Sequence, residues 1–369
     1  MDQPQRRYRV GFLVEQALGH RVHAENLQQA VPRDPEIDAR WGLVPYEVEG
    51  WAARLPLYRG NWTLRAGLRA RRLIGAMARE GPLDALFVHT QVPAVLASDW
   101  LRRIPSVVSL DATPLQYDAL GESYGHAAGS ALLERLKWRL NRRAFESARH
   151  LVAWSAWARD GLAEGYGVDR ARVTVIPPGV HTREWARLEP RRPHEGPLRV
   201  LFVGGDLERK GGTLLLEAVR GLRAATPVEL DLVTRSPLTP EPGVRVHRGM
   251  QGNSPELRAL YHAADVFCLP TYGDCLPMVL AEAAASGLPS IASDVAAIPE
   301  IVRDGDTGLL VRRGDRDGLT EALRRLACDV TLRLAMGERA RVLAEAEHDA
   351  GRNAARILSI LKRLANGRS

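Results

Sequence analysis

A chain of 369 residues is longer than the size at which one hydrophobic core usually keeps growing, so the sequence predicts two domains. Its apolar and charged fractions, 45% and 26%, are those of an ordinary globular protein and exclude intrinsic disorder. The net charge of +7 leaves open nucleic acid, an anionic membrane surface or a phosphate-bearing ligand, beside a plain bias toward arginine. No nucleic-acid-binding motif appears, so nucleic acid is not an expected partner.

The cysteines and the apolar runs exclude further classes. Cys268, Cys275 and Cys328 are odd in number and lack metal-site spacing, so we expect neither a disulfide framework nor a metal site. No apolar run approaches the roughly 20 residues that span a bilayer. The first residues, MDQPQRRYRV, lack the apolar core of a signal peptide, and we expect a cytoplasmic protein.

Short apolar runs alternate with helical patterns along the chain, which predicts parallel sheets with helices on both faces. In the first half, buried strands are predicted at 8–14, 85–90, 105–110, 150–155 and 172–177. In the second half, they are predicted at 198–205, 228–234, 244–247, 265–270 and 289–293. The expected fold class is therefore α/β, with two doubly wound, Rossmann-like domains.

A stretch rich in proline and charge, 182–197, separates the two series of strands and is typical of an interdomain linker. The expected organisation is a first domain at 1–180, a linker at 181–197, a second domain at 198–345 and a C-terminal helix at 346–369. That helix has one apolar face, formed by Ile357, Ile360, Leu361 and Leu364. It must pack on a core, and the first domain is the candidate.

The loop after the strand at 198–205 combines glycines with two cations. Gly204 and Gly205 are followed by Arg209 and Lys210, before a predicted helix. Glycines let the backbone approach a ligand, and the free amides of a helix start attract anions. Two cations there suit a diphosphate. The spacing fits neither a P-loop nor G-x-G-x-x-G, and a glycine turn with solvated charges is the alternative.

The stretch YGDCLPMVLAEAAASGLPSIASD follows the strand at 265–270 and carries two acids, Asp274 and Glu282. Ionised carboxylates accept hydrogen bonds, so these acids suit sugar and ribose hydroxyls. The residues that would present the start of the next helix to a ligand are Cys275, Leu276, Pro277 and Met278. A capped helix with an exposed glutamate is the alternative for this segment alone. Since both loops lie at strand ends of one sheet, together they favour a nucleotide diphospho-sugar.

Three stretches resemble a known family: FVGGDLERKGG, PTYGDCLPMVLAEAAASGLPSIASD and AAIPEIVRDGDTGLLV. They look like the donor domain of retaining glycosyltransferases of family 4, which have the GT-B fold. The first half resembles that family more weakly, through VAWSAWARDGLAEGYGVDRARVTVIPPGV. The resemblance implies two domains facing a cleft, with sugar transfer from a nucleotide diphospho-sugar and retained anomeric configuration. It implies no metal ion and no cofactor beyond the donor substrate.

The resemblance also implies roles for matching residues. Asp274 and Glu282 stand at the two acids of the family's E-x7-E motif, with aspartate replacing the first glutamate. The first would approach the donor sugar, and the second would hold the ribose. Lys210 matches the lysine of the family's diphosphate-binding pair. The arginine of that pair falls on Gly205, so Arg209 is the expected substitute.

The first domain offers candidates at two strand ends. Gly19, His20 and His23 follow the first strand and would contact the acceptor or a phosphate, surface histidines being the alternative. Asp111 ends the strand at 105–110, where many relatives carry a histidine near the donor sugar. It would orient a sugar hydroxyl or an incoming nucleophile, a turn cap being the alternative. The expected catalytic residues are Asp111, Asp274, Arg209 and Lys210.

The segment 131–150 has the pattern of a basic amphipathic helix. Its apolar residues are expected to form a core stripe of Leu132, Leu133, Leu136, Leu140 and Phe145. Core packing is the favoured interpretation, and contact with the inner membrane surface is the other. The acceptor stays open between a glycan, a lipid and a small molecule.

Two other functions stay open. A non-catalytic nucleotide-sugar-binding protein would keep the same motifs. A NAD-dependent Rossmann oxidoreductase is less favoured, because the loop after the first strand has one glycine where its fingerprint has three.

Overall fold

The computed structural model describes residues 7–17, 19–47, 56–121, 130–239 and 241–367. Within them the chain divides into two compact units. Of these residues, the first unit contains those in 7–119, 130–178 and 350–367, and the second contains 120–121 and those in 179–349.

The first unit is built on a parallel sheet of six described strands. They are β1 (Tyr8–Glu15), β2 (Ile37–Val44), β3 (Ala85–His89), β4 (Ser106–Leu110), β5 (His150–Ala153) and β6 (Val173–Val175). Their order across the sheet is β2-β1-β3-β4-β5-β6. Parallel neighbours need crossover connections, and helices supply most of them. The helices are α1 (His20–Ala30), α2 (Pro56–Gly60), α3 (Trp62–Glu80), α4 (Gln91–Ala94), α5 (Ser98–Arg103), α6 (Pro114–Ala119), α7 (Ala131–Ser147) and α8 (Ala156–Tyr166).

The second unit repeats this plan. Its described strands are β7 (Leu198–Val203), β8 (Val228–Val233), β9 (Val244–His247), β10 (Val266–Leu269), β11 (Ser290–Ser293) and β12 (Gly308–Val311). They lie in the order β12-β11-β10-β7-β8-β9. The helices are α9 (Thr182–Trp185), α10 (Gly212–Leu222), α11 (Pro255–Ala263), α12 (Met278–Ala285), α13 (Ile298–Ile301), α14 (Arg316–Cys328) and α15 (Val330–Glu347).

The predicted α/β class with two doubly wound sheets is confirmed, and each of the ten predicted strands is present. Two strands were not predicted, β2 and β12, and each lies at an edge of its sheet. An edge strand pairs on one side only and need not be a continuous apolar run. β2, with the sequence IDARWGLV, is partly exposed along most of its length, and β12 has only four residues.

The last helix, α16 (Ala350–Ala365), belongs to the first unit, as the apolar face predicted. Ile357, Ile360 and Leu361 are buried in a core cluster that includes Phe12 and Phe87 of the sheet. The predicted contact with the first domain is confirmed.

The segment expected to link the domains lies in the second unit. Arg191 holds it there: its guanidinium donates to the carbonyl oxygens of Tyr261, His262 and Gly287 at 2.7, 3.2 and 3.1 Å. Burial lowers the pKa of Arg191 to about 10, which leaves the side chain charged at neutral pH. These carbonyls lie at the ends of α11 and α12, where a cation is favourable.

The core stripe expected on α7 is wrong over its first half. Leu132, Leu133 and Leu136 are 78%, 60% and 52% exposed, and Leu140 is partly exposed, whereas Phe145 is buried. The buried face of α7 is instead formed by Asn141, Ala144, Phe145 and Ser147. Apolar periodicity alone could not tell which turns of the helix the core reaches.

Among the described residues, no helix combines the length and the apolar character that crossing a membrane requires.

Candidate functional site

The loops after β7 and β10 meet, because these strands are neighbours in the second sheet. The backbone N–H of Tyr272 donates to the carbonyl oxygen of Arg209 at 2.9 Å. The Thr271 hydroxyl donates to the same oxygen at 3.1 Å. The basic pair and the first acid, predicted from separate stretches, therefore lie at one edge of the sheet.

Lys210 and Asp274 form an ion pair at this edge, in which Nζ donates to Oδ2. Their side chains are only 15% and 13% exposed. Arg209 Nη1 lies 4.0 Å from the other carboxylate oxygen of Asp274 and donates to the carbonyl of Gly273 at 2.8 Å. Arg209 also lies 3.7 Å from a second acid, Asp206, which is 54% exposed, whereas Asp274 is largely buried. Two cationic donors at one edge of the sheet suit an anionic ligand.

Gly211 brings the two loops together. Its φ of +77° is in the left-handed region, which favours glycine. A Cβ on Gly211 would lie 1.9 Å from the carbonyl oxygen of Pro270. Only glycine therefore allows this approach, after which α10 begins at Gly212.

The four residues predicted at the start of α12 are all buried, with Pro277 as its N-cap residue. The backbone carbonyl of Cys275 accepts a hydrogen bond from the N–H of Ala297 at 3.1 Å. In the first turn of any helix the N–H groups have no intrahelical partner. The amide end of α12 therefore begins at Met278, four residues after Asp274 in the chain.

Glu282 lies inside the second unit and is only 3% exposed. Its Oε2 accepts a hydrogen bond from the hydroxyl of Tyr261 at 2.9 Å. Burial raises the pKa of Glu282 to about 7, and the Tyr261 bond opposes that rise only in part. The exposed glutamate of the alternative interpretation is excluded. Tyr261 was not predicted, since a tyrosine on an amphipathic helix carries no signal of its partner.

The first unit gathers polar side chains at its strand ends. This first-unit cluster consists of Glu15, His20, His89, Asp111 and Trp154. His20, the first residue of α1, lies between two acids: its Nε2 is 3.7 Å from Glu15 Oε1 and 3.9 Å from Asp111 Oδ2. Its other nitrogen, Nδ1, is 2.9 Å from His89 Nε2. The structure therefore brings together His20 and Asp111, which the sequence had placed in separate loops.

His23 lies behind the cluster and is not a surface residue. It is 4% exposed, and its ring packs edge-on against His89 and Trp154, each with centroids 4.9 Å apart. Burial, with a smaller contribution from His20, lowers the pKa of His23 to about 3. The imidazole is therefore neutral at physiological pH. Gly19 is the N-cap residue of α1 and forms no side-chain cap.

Asp111 is held from two sides, its Oδ2 accepting from the Tyr117 hydroxyl and its Oδ1 from Ala112 N at 2.9 Å. Glu15 Oε2 accepts from the Thr90 hydroxyl at 2.7 Å. Burial is the main cause that raises the pKa of Glu15. Glu15, His89, Thr90 and Tyr117 were not predicted. The available signal was their position, since Glu15, His89 and Thr90 stand at ends of predicted strands.

Two family models match this chain. The model described as Glycosyltransferase Family 4 matches residues 16–184, and that described as Glycosyl transferases group 1 matches residues 197–329. The chain belongs to the group 1 and family 4 glycosyltransferases. Together the matches span most of the sequence, including the Lys210–Asp274 pair and every residue of the first-unit cluster except Glu15.

Curated relatives of this family 4 chain carry different enzyme names. MMP alpha-(1->4)-mannosyltransferase of Mycolicibacterium hassiacum is 35% identical over 189 residues, which are 48% of this chain and 44% of that protein. Glycogen synthase of Mycobacterium tuberculosis is 28% identical over 283 residues, 73% of this chain and 66% of that protein. The chain thus aligns with less than two thirds of the length of these relatives.

Solved structures establish the fold. Sucrose-phosphate synthase from Thermosynechococcus elongatus has a TM-score of 0.76 at 17% identity, over 98% of this chain and 100% of that one. Anabaena HepE, solved in complex with UDP and glucose, has a TM-score of 0.70 at 15% identity, over 96% and 99%. The predicted GT-B fold is confirmed.

Proposed function

We propose that this protein transfers a sugar from a nucleotide diphospho-sugar to an acceptor, with the donor held by the second unit. The observation that carries this proposal is the grouping of Arg209, Lys210 and Asp274 at one strand-end edge, close in the chain to the start of α12. Family membership supports it, and so does the complex of the structurally similar HepE with UDP and glucose.

The two cations would bind the diphosphate and stabilise the charge that grows on it as the sugar leaves. Such stabilisation is effective when the charges are already in place, and the bonds of Arg209 and Lys210 to the neighbouring loop hold them there. Asp274 would exchange part of its contact with Lys210 for a hydroxyl of the donor sugar. Because side chains supply the positive charge, we propose that transfer requires no metal ion and no cofactor.

Glu282 would accept hydrogen bonds from the ribose hydroxyls. An ionised carboxylate accepts several hydrogen bonds, so the bond from Tyr261 leaves capacity for a ligand. With a pKa of about 7, this side chain is ionised in a large fraction of molecules at neutral pH. The residues around Gly204 and Gly205 and at the start of α12 would approach the nucleotide through their backbone.

The first unit would contribute the acceptor side of the reaction. Asp111 and His20 are the candidates to orient a sugar hydroxyl or the acceptor hydroxyl, since both belong to the first-unit cluster. We propose attack on the face from which the diphosphate departs, with retention of anomeric configuration. Proton NMR of the product bond, against the configuration of the donor, tests this directly.

The acceptor is proposed to be a glycan, a lipid or a small molecule, and α7 favours access to a membrane surface. Leu132 and Leu136 are exposed. Leu136, Arg139 and Arg143 follow Leu132 at about one, two and three helical turns, so all four residues lie on one face of α7. Apolar residues among arginines on an exposed face suit an anionic bilayer surface. We propose a cytoplasmic protein that contacts the inner membrane surface through this face.

A thermal-shift panel of UDP, GDP, ADP, dTDP, their sugar conjugates and NAD tests the donor proposal. A nucleotide diphosphate at about 100 times its dissociation constant should add roughly 2.7 kcal/mol to the stability of the state that binds it. Glu282→Ala should weaken this response, and Asp274→Ala should lower turnover more than nucleotide affinity. A response to NAD alone contradicts the proposal. Nucleotide binding without donor hydrolysis or transfer would support a non-catalytic binding protein instead.

A further inference from the structure

The segment after β8 brings another cation to the end of β7. β7 and β8 pair in parallel with Val203 opposite Val233, so the register places Gly205 opposite Arg235. Arg235 N donates to the carbonyl of Gly205 at 3.3 Å. In the same segment, the hydroxyl of Ser236 accepts a hydrogen bond from the backbone N–H of Leu207 at 3.2 Å. These bonds fix Arg235 beside the loop that carries Lys210.

The absence of a side chain at Gly205 gives the Arg235 guanidinium its place. A Cβ built on Gly205 would lie 2.9 Å from both Nε and Nη2 of Arg235. The backbone of Gly205 is not among the glycines with positive φ, so its conformation does not itself require glycine. The guanidinium of Arg235 therefore occupies the space that a side chain at position 205 would enter.

Arg235 also differs from its neighbours in charge balance. Lys210 is paired with Asp274, and Arg209 lies 3.7 Å from Asp206 as well as 4.0 Å from Asp274. Arg235 is exposed, and no carboxylate of the described residues forms an ion pair with it. Its charge is therefore available to an anion that reaches this edge of the sheet.

We propose that Arg235 binds the diphosphate of the nucleotide donor, from the space above Gly205. This inference rests on the proposed function and adds a catalytic residue that its motifs do not contain. A planar guanidinium can donate two parallel hydrogen bonds to a phosphate, which suits it to the role. Arg235 from the segment after β8 and Lys210 from the loop after β7 then share the charge of the leaving diphosphate.

The experiment compares Arg235→Ala, Arg235→Lys and the double variant Gly205→Arg with Arg235→Ala. Calorimetry measures their affinities for UDP, GDP, ADP and dTDP and for the matching nucleosides. Arg235→Ala should weaken binding of the preferred diphosphate by about 10- to 100-fold and leave nucleoside binding unchanged. Arg235→Lys should fall between, because it keeps the charge but not the fork of donors. Arg324→Ala, on the exposed face of α14, is the control for loss of one positive charge.

The double variant makes the position itself testable. With Arg235 shortened, an arginine at position 205 enters the vacated space, so most of the lost diphosphate affinity should return. A purely structural role of Arg235 predicts no such rescue. Thermal unfolding of each variant verifies that it is folded before its affinity is compared.

The outcomes separate this inference from the proposed function. If the wild type binds a nucleoside diphosphate and Arg235→Ala binds it equally well, the role of Arg235 is overturned and the proposed function stands. A folded double variant that regains no affinity overturns the assignment of the space above Gly205. A wild type that binds none of the four diphosphates overturns both.

Discussion

Tyr261 and Glu282 share a hydrogen bond in the interior of the second unit, with 2.9 Å between the hydroxyl and the carboxylate oxygen Oε2. Tyr261 is fully buried, and Glu282 is 3% exposed. A carboxylate in this environment costs free energy when it ionises, because one hydroxyl does not replace its hydration. We propose that Glu282 binds the ribose, and titratable groups at functional sites commonly have perturbed pKa values. The unfavourable burial of this carboxylate is therefore consistent with a role in binding.

Glu282→Gln should change how stability depends on pH. The pKa of Glu282 is about 7 in the folded protein against an ordinary 4.5, because of burial. Its contribution to stability is therefore full below pH 4.5 and is lost as the pH rises through 7. Between pH 4.5 and 8, the wild type should lose about 3 kcal/mol of unfolding free energy relative to the variant. Urea denaturation of both proteins across this range measures the difference. Glu321 is an exposed carboxylate, so the wild type should show no such loss relative to the control variant Glu321→Gln.

Lys210→Ala should reduce kcat by about 100-fold or more with the best donor. Lys210 Nζ contacts Asp274 at the strand-end edge, and the departing diphosphate loses this cation in the variant. Steady-state kinetics give kcat and KM separately. Arg220→Ala removes an exposed arginine of α10 that pairs with Glu241, and it should leave kcat unchanged. Equal kcat in Lys210→Ala and the wild type would contradict the proposed role.

Asp111→Asn should lower turnover without weakening nucleotide binding. Asp111 belongs to the first-unit cluster, 3.9 Å from His20, whereas the proposed nucleotide contacts lie in the second unit. We expect kcat to fall about tenfold or more, with nucleoside diphosphate affinity unchanged. Asp38→Asn, on the edge strand β2, is the matched control. Loss of affinity in step with kcat would show that Asp111 acts through folding.

Replacing Arg139 and Arg143 with glutamine should weaken binding to anionic vesicles by about 30-fold, since each arginine near such a surface contributes about 1 kcal/mol. Replacing Leu132 and Leu136 with serine should weaken it as well. Co-sedimentation with phosphatidylcholine vesicles, with and without phosphatidylglycerol, measures binding. The same double change at Arg316 and Arg324, on α14, is the control. If the wild-type protein does not co-sediment with phosphatidylglycerol vesicles at low salt, the proposed contact is excluded.

Gly211→Ala should destabilise the second unit by about 2 kcal/mol or more. The φ of +77° opposes any Cβ, and the added atom would lie 1.9 Å from the carbonyl oxygen of Pro270. Gly221→Ala is the matched change, in α10 with no atom within 4 Å of the added Cβ. It should be neutral or stabilise by up to about 1 kcal/mol, because alanine favours the helix. Thermal unfolding of the two variants gives the comparison.

The sequence by itself determined the class of the fold. The eight central strands of the two sheets are largely apolar, because helices cover both of their faces, and all eight are among the ten predicted strands. It also indicated that Asp274 and Lys210 belong to one edge, since the carboxyl ends of parallel strands in one sheet share an edge. That β7 and β10 are neighbours, so that the two loops meet, came from the structure. The apolar face of α16 determined that this helix packs on a core.

Only the tertiary structure decided which residues those predicted positions contact. Leu132 and Leu136 have the same spacing as core residues, but the core does not reach the first turns of α7. Tyr261 reaches Glu282 from another helix, and Arg235 fills the space above Gly205 from the segment that follows the neighbouring strand β8. Local sequence carries periodicity and turn chemistry, whereas such contacts depend on strand order and packing between segments distant in the chain.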